Sequence, residues 1–498
     1  MTQEFSAARI AKDKNYDGQF FFGVKTTGIF CRPSCPSPVA KEENVRYFAT
    51  LFSAIEAGFR PCYRCRPDVE VCCYNGNVDG QFLVKGALEK IESGYLHDHS
   101  IEELAEEMGI SARHLRKLFT DNLGASPVTI ARYHKALFAK KCLLFSSQSI
   151  TDIAYASGFG SIRQFNEVFK STFGKTPTQV RQEEEGRKKA APGASAHNTS
   201  LLLPYKKPFD FDQLLTFLRL RAITGVEVVT HESYTRSFRL KQTRGHFTVT
   251  DKPTQSALAL TICCDDIRCF MEVTHRVRRM FDLDTDFTRI NASLKIQKAL
   301  IPGMKEGHVP RLPVAFEPFE FVIRAILGQQ ITVKAATTYA GRIAKKAGVI
   351  TPDDSPEGID FFFPTADELN DLDLSGIGLT QTRQTTLKTA THAVLNKQVA
   401  LTANQPFETF HKEFSALKGI GDWTVHYVAM RGLGMKDAFP ATDLGVIKAL
   451  TQGEKRPSTQ EIITLAEPWR PYRSYATLAL WHIGESYAPV HTIQNTFL

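Results

Sequence analysis

From Ser100 the chain settles into a helical rhythm. Ile101, Leu104, Ala105 and Met108 fall at i, i+3, i+4 and i+7, Ser100 stands where a cap belongs, and Gly109 closes the segment. A second helix is predicted directly after it, capped by Ser111, with Leu115, Leu118 and Phe119 facing inward and Arg113, His114, Arg116 and Lys117 outward. The same pattern returns from Ser149: Ile150, Ile153 and Ala154, a turn at Gly158, then Phe165, Val168 and Phe169 on a helix that carries Arg163 and Gln164. The copies end alike, "DNLGASP" and "KSTFGKTP", and a connecting helix is predicted near "VTIARYHKALFAKKCLLF". A helix, turn and helix repeated in tandem on one frame is what this periodicity predicts.

Patterning elsewhere divides the rest. A short helix is expected at "TLFSAIEAGF". After Arg181, "QEEEGRKKAAPGASAHNTS" has nothing to bury and reads as a flexible linker over 186–203. Residues 204–285 alternate as strands do in "VEVVTHESY", "SFRLKQT", "HFTVTD" and "SALALTICC", between helices at "FDFDQLLTFLRLRA" and "RCFMEVTHRVRRMFDL". Beyond 286 the chain reads as mostly helical. The expected fold is therefore multidomain: a small α/β domain over 1–80, an all-α tandem domain over 85–185, an α+β domain over 204–285 and a mainly α domain over 286–498. A length of 498 residues agrees with several domains.

Composition excludes some partners. No stretch reaches the roughly 18 apolar residues of a membrane span, and "MTQEFSAARIAKDKNYDGQ" lacks the apolar segment of a signal peptide. The chain thus reads as cytoplasmic, with reduced thiols. A formal net charge of +8 favours a polyanionic partner if the excess is gathered on particular faces.

The thiols carry the first chemistry. "GIFCRPSCPS" holds Cys31 and Cys35, and "FRPCYRCRPD" holds Cys62 and Cys65. Two short-spaced pairs make a tetrahedral four-thiolate site suited to one Zn²⁺, and by spacing alone such a site is structural. The cysteines at 72, 73, 142, 263, 264 and 269 form no second pattern and read as buried or incidental. Together, "DGQFFFGVKTTGIFCRPSCPS" and "AGFRPCYRCRPD" resemble the N-terminal domain of the Ada adaptive-response family. That resemblance implies that Cys31 is both a zinc ligand and the acceptor of a methyl group from a DNA methylphosphotriester, with Arg32, Arg60, Arg64 and Arg66 holding the phosphate backbone. Methylating one of four thiolates removes a negative charge facing DNA, which raises affinity. The tandem repeat resembles the DNA-binding domain of AraC-type activators, which places Arg113, His114, Arg163 and Gln164 near bases in the major groove.

"LKGIGDWTVHYVAM" carries the second chemistry. Gly419 and Gly421 bracket Ile420 in a hairpin read as too tight for β-carbons, and a helix starting at Asp422 or Trp423 offers backbone N–H groups to a phosphate. On its own, such a turn reads as an ordinary link between helices, and Asp443 in "FPATDLGVIKAL" is equally an N-cap. With "FEPFEFVIRAILGQQITVKAA" and "PYRSYATLALWHI", the second half resembles the AlkA branch of helix-hairpin-helix DNA glycosylases. The resemblance implies a catalytic Asp443, a base pocket of Phe217, Gln329, Trp423, Tyr427 and Tyr472, and DNA contacts at Lys418, Gly419, Gly421 and Gln330. Departures from the family are Lys418 where many relatives have proline, Gln330 in place of a wedging leucine, and Tyr472 in place of a tryptophan. Trp423 stands where bifunctional relatives carry a Schiff-base lysine, so a monofunctional enzyme is expected. No four-cysteine cluster follows, so no iron–sulfur centre is expected, and the chain contains no Pro-Cys-His-Arg nucleophile motif. The resulting expectation is a monomeric, nucleoid-associated protein that meets damaged and promoter double-stranded DNA and RNA polymerase. In it, a methyl-accepting zinc module and an activator module are fused to a glycosylase for bases of the 3-methyladenine and 7-methylguanine class. The rival is an activator whose second half only binds DNA.

Overall fold

The computed structural model describes residues 2–65, 67, 82–145, 148–189, 200–451, 453 and 455–486. Arg66, Cys72 and Cys73 lie outside the described residues. By contact the chain divides into Met1–Leu202 with Asp266–His275, and Leu203–Asp265 with Arg276–Leu498.

In the first unit, four short strands form a sheet in the order Val45–Phe48, Phe21–Val24, Ile29–Cys31, Arg60–Pro61. The last pair is parallel, and Cys62 N–H donates to the Phe30 carbonyl at 3.0 Å, which brings the second cysteine pair beside Cys31. Leu51–Glu56 is the expected short helix, fixed by a capping box between Thr50 and Ser53. Phe30, Phe48, Leu51 and Phe52 share one hydrophobic core with Leu104, Leu115, Phe119 and Tyr133, so the sheet and the first helical repeat bury one another.

The repeat is Ile101–Glu107 with Ala112–Leu123, then Ile150–Ala156 with Ile162–Phe173, joined by Pro127–Phe145. Ser100, Ser111 and Ser149 accept the N–H groups expected of caps, and Ser161 caps the fourth helix. The longer helices of each copy stop at Gly124 (φ 73°) and Gly174 (φ 71°), left-handed positions that favour glycine. Of the linker expected over 186–203, residues 190–199 lie outside the described residues. The helix Pro177–Lys189 runs through 186–189, and Ser200–Pro204 is a strand because Leu201 and Leu203 are buried.

The second sheet orders its strands as Ser200–Pro204, Ala257–Cys264, Thr243–Lys252, Ser233–Leu240, Glu227–Val229, with the helix Phe211–Arg219 between Ser200–Pro204 and Glu227–Val229 in the chain. Helices follow, centred on Pro318–Leu327, in which Phe319, Val322, Ile323 and Ile326 are buried. A closed charge cluster ties this helix to the sheet. Arg236 donates to Glu320 at 2.6 Å, Arg324 to Glu227 at 3.0 Å and to Glu320 at 3.2 Å, and Tyr234 to Glu227 at 2.6 Å. Buried charges persist only when paired, and here each carboxylate meets a guanidinium. Among the described residues no helix is long and apolar enough to cross a membrane.

Candidate functional site

The thiols of Cys31, Cys35, Cys62 and Cys65 are buried, and their sulfurs all lie within 4.8 Å of one another. Tetrahedral zinc with Zn–S of about 2.3 Å needs sulfurs roughly 3.8 Å apart, so the cluster fits one Zn²⁺ with little adjustment. The loop between the first two cysteines is braced from outside. Asp17 accepts from Ser34 N–H at 3.0 Å and Ser34 Oγ at 2.5 Å, and faces Arg32 Nε at 3.6 Å. Arg32 and Arg60 are half-buried and Arg64 is exposed, while Arg66 lies outside the described residues.

On the two longer repeat helices, Arg113, His114, Arg163 and Gln164 are all exposed, opposite buried Leu115, Phe119, Phe165 and Phe169. Each copy therefore presents its polar residues near the helix N-terminus, where a groove-reading helix needs them.

In the second unit the hairpin joins Phe407–Ser415 to Asp422–Tyr427. Gly419 has φ 91°, and a β-carbon there would sit 2.2 Å from Thr386 Oγ1. Gly421 differs from expectation: its φ is −96°, and an added β-carbon would meet nothing within 4 Å. Its smallness leaves open space over a helix start that has no side-chain cap. Lys418 is exposed beside it. Gln329 donates through Nε2 to the Gly419 carbonyl and to Thr424 Oγ1, both at 3.0 Å, so it braces the hairpin and is not among the residues that line the aromatic cavity beside it. Gln330 is exposed with φ 58°, a conformation rare for a residue with a β-carbon, at the tip of the turn after Pro318–Leu327.

Beside the helix that follows the hairpin lies a cavity of about 430 Å³ whose lining includes Phe321, Trp423, Tyr427, Trp481 and Asp443. Small-molecule sites span about 300–1,000 Å³. Trp423 and Tyr427 stack at 4.9 Å, and Trp481 meets Tyr427 edge-on at 6.2 Å. Asp443 is indeed the N-cap of Leu444–Leu450, its Oδ1 accepting from Gly445 N–H at 2.9 Å and Val446 N–H at 3.2 Å. It is also held by both indoles: Trp481 Nε1 donates to Oδ1 and Trp423 Nε1 to Oδ2, each at 2.8 Å. Capping and a fixed carboxylate in a cavity lining are thus one arrangement.

Besides Gln329, two more expected pocket residues are absent from the cavity lining. Phe217 is outside the wall, its ring 3.7 Å from the Arg221 guanidinium and 4.5 Å from that of Arg431, because those cations have taken its faces. Tyr472 lies just before Arg473–Ser486, packed on the same core as Tyr427 and Trp481 and not in the cavity lining. In their place are Trp481 and Arg431, which the sequence reading did not select. Arg431 reaches the wall because the helix Asp422–Tyr427 continues as a π turn, Val428–Gly432. It is buried, donates through Nε to the Pro313 carbonyl, and among the described residues has no partner for one terminal nitrogen. Burial first, then Arg221 and Arg324, pulls it down to about 9 against the opposing effect of Tyr427.

A second cluster, His411, Asp422 and His426, brings three ligand-type atoms within 4.8 Å. Phe439 N–H donates to His426 Nδ1 at 3.0 Å, which leaves the ring proton on Nε2 and withdraws that nitrogen from metal binding.

Three family models match the chain: the metal binding domain of Ada over residues 4–68, a helix-turn-helix domain over 104–183 and the AlkA N-terminal domain over 200–317. A probable bifunctional transcriptional activator/DNA repair enzyme AlkA of Mycobacterium tuberculosis is 34% identical over 472 residues, covering 95% of this chain and 94% of that one. The DNA-3-methyladenine glycosylase 2 of Escherichia coli is 32% identical over 56% of this chain and 96% of its own. The bifunctional transcriptional activator/DNA repair enzyme AdaA of Bacillus subtilis is 35% identical over 36% of this chain and 83% of its own.

Proposed function

Because the chain belongs to the family of bifunctional transcriptional activator/DNA repair enzymes AlkA, we propose that its two units divide sensing and excision between them. The first unit accepts methyl groups from DNA methylphosphotriesters and activates transcription. The second removes alkylated bases of the 3-methyladenine and 7-methylguanine class. The observation that carries the excision reading is the carboxylate of Asp443, fixed by two indole N–H groups in the lining of an aromatic cavity.

Cys31, Cys35, Cys62 and Cys65 hold one Zn²⁺, which when bound keeps thiols ionised and nucleophilic at neutral pH. Cys31 is the acceptor: its sulfur attacks the methyl carbon, an S–C bond forms as the C–O bond breaks, and the phosphate leaves as an ordinary diester. Arg32, Arg60 and Arg64 hold the backbone for that attack. Arg113 and His114 on one recognition helix, and Arg163 and Gln164 on the other, face bases of the promoter. The chain works as a monomer on the nucleoid and engages RNA polymerase from this unit.

For excision, a phosphate sits over Gly421 at the uncapped helix start, with Lys418 beside it, and Gln330 projects toward the gap left by the flipped nucleotide. The flipped base stacks against Trp423 and Tyr427; an alkylated purine is cationic, and electron-rich rings favour it. As the C1′–N bond breaks, the pair of electrons leaves with the base and positive charge grows on the sugar. Asp443 stabilises that charge and orients the water that adds to C1′. No amine faces the sugar from Trp423, so the product is an abasic site in an intact strand.

The test is incubation of the full chain with alkylated duplex. Released 3-methyladenine and 7-methylguanine, abasic sites without strand cleavage and no borohydride-trapped adduct are expected. A folded chain that binds the duplex and releases nothing refutes the excision reading.

A further inference from the structure

The thiol domain touches the two recognition helices at the same place in each. A helix ends with carbonyls that have no intrahelical partner and carry the negative end of its dipole, so they take donors and cations. At the end of Ala112–Leu123 the donor is Thr50, whose Oγ1 lies 2.6 Å from the Leu123 carbonyl. At the end of Ile162–Phe173 it is Tyr63, whose hydroxyl lies 2.6 Å from the Phe173 carbonyl.

The packing repeats as well. A β-carbon on Gly124 would stand 2.7 Å from Ser53 Cβ, and one on Gly174 would stand 2.0 Å from an Arg60 terminal nitrogen. Both cap glycines therefore admit a close approach of the same domain. Around the second contact, Lys140 and Lys175 lie 5.5 and 4.9 Å from the Tyr63 ring, and Lys140 lies 4.6 Å from that of Phe173. Tyr63 itself stands between Cys62 and Cys65, so its place is set by the thiol cluster.

We propose that Thr50 and Tyr63 are positioning residues for sequence recognition: each fixes the C-terminal end of one recognition helix, and together they set the spacing at which the two helices read DNA. The proposal rests on the reading of the repeats as DNA-binding. It assigns the thiol domain a role in specificity distinct from the charge it presents to the phosphates. Thr50 governs the half-site read by the first helix and Tyr63 that read by the second.

The experiment selects duplexes from a randomised pool with the full-length zinc-loaded chain, wild type against Tyr63→Phe, Thr50→Val and Thr50→Ser. Wild type is expected to enrich a two-part site. Tyr63→Phe loses the one hydrogen bond, Thr50→Val loses that to Leu123 together with the cap on Ser53 N–H, and each is expected to weaken preference roughly three- to tenfold in one half only: the half read by Ile162–Phe173 for Tyr63→Phe, that read by Ala112–Leu123 for Thr50→Val. Thr50→Ser, which keeps the donor, is expected to restore the wild-type site. Hydrogen exchange supplies the second readout, with faster exchange in the last turn of Ile162–Phe173 alone for Tyr63→Phe. Uniform loss across all sequences, relaxation of the same half by both variants, or a two-part site left intact by both overturns the proposal while the DNA-binding reading stands. A wild type that enriches no sequence overturns both. If Thr50→Val fails to fold, Tyr63→Phe decides, since it removes one oxygen from an exposed side chain.

Discussion

Replacing Asp443 with asparagine is the natural test of the carboxylate, and the geometry says what that change does. Oδ1 accepts three N–H groups, from Gly445, Val446 and Trp481, while Oδ2 accepts one from Trp423 at 2.8 Å. Asparagine has one acceptor and one donor. Keeping its oxygen on the three-donor side preserves the cap but turns its NH₂ toward the Trp423 N–H, donor against donor. The lost hydrogen bond to a charged group is worth about 1.5–3 kcal/mol, and the half-buried position argues for the lower end. Losing the charge beside the developing sugar cation costs about 2.7–4 kcal/mol of transition-state stabilisation, a fall of roughly a hundred- to a thousandfold in base release.

These two effects separate in a double-mutant cycle. Trp423→Phe removes the opposing N–H, so it is expected to recover about 1 kcal/mol or more of the stability lost in Asp443→Asn, and none of the activity. Single-turnover release of 3-methyladenine and 7-methylguanine measures the chemistry, and denaturant unfolding measures the fold. Asp443→Asn that folds and releases base at the wild-type rate removes Asp443 from the mechanism. Restored release in the double variant refutes the electrostatic account, and an Asp443→Asn chain as stable as wild type refutes the donor conflict.

After incubation with methylphosphotriester DNA, mass spectrometry is expected to place one added methyl on Cys31; a methyl on Cys35, Cys62 or Cys65 instead would reassign the acceptor. The metal content should be one zinc per chain, with chelation unfolding the small sheet, as checked by elemental analysis and circular dichroism. Gly419→Ala meets both a positive φ and Thr386, so it is expected to lower stability by about 1–3 kcal/mol, whereas Gly421→Ala should leave unfolding unchanged and weaken duplex binding. Equal effects of the two on DNA affinity and stability would contradict the phosphate site over Gly421. Burial holds His426 down to about 4, with Asp422 opposing and His411 adding to the shift, and its Nδ1 accepts from Phe439 N–H. Below its unfolded value of about 6.5 the unfolded chain takes up the proton first, so stability is complete above that pH and declines toward pH 4. Denaturant midpoints at pH 7 and pH 5 are expected to differ less for His426→Asn than for wild type.

What was legible in the sequence depended on range. The tandem helices were readable because period, serine caps and closing glycines all act within a turn or two, and Ser100, Ser111 and Ser149 take up those cap positions. The thiol cluster was readable because each pair is short-spaced and only the meeting of the pairs is long-range. The linker reads too wide from sequence because "SLLLP" is too short to show alternation, and only its neighbours in the sheet reveal that Leu201 and Leu203 are buried. Resemblance of linear motifs puts Phe217, Gln329 and Tyr472 at the pocket, but it cannot show that arginines cover the first, that the hairpin engages the second or that the core takes the third. Arg431 depended on a π turn that sequence periodicity does not announce.

Trp481 shows where a signal was present but unused. The chain has only three tryptophans, at 423, 469 and 481, and such a scarce amphipathic residue on a C-terminal helix asks for a partner to its N–H. The partner is Asp443, 38 residues away, already reached from the other side by Trp423. This bears on the difference between monofunctional and bifunctional relatives. At the position where the resemblance places a lyase's amine, this chain has a neutral donor that orients the carboxylate. On the excision reading proposed above, an indole at this position offers no nucleophile for Schiff-base chemistry, and its N–H fixes the carboxylate assigned to hydrolysis. Trp423→Lys would place an ammonium beside Asp443, where an ion pair would hold it protonated and spend the carboxylate's charge. It is expected to lose base release without gaining a borohydride-trapped adduct, and a trapped adduct would show that the orientation of Asp443 is not what separates the two chemistries here.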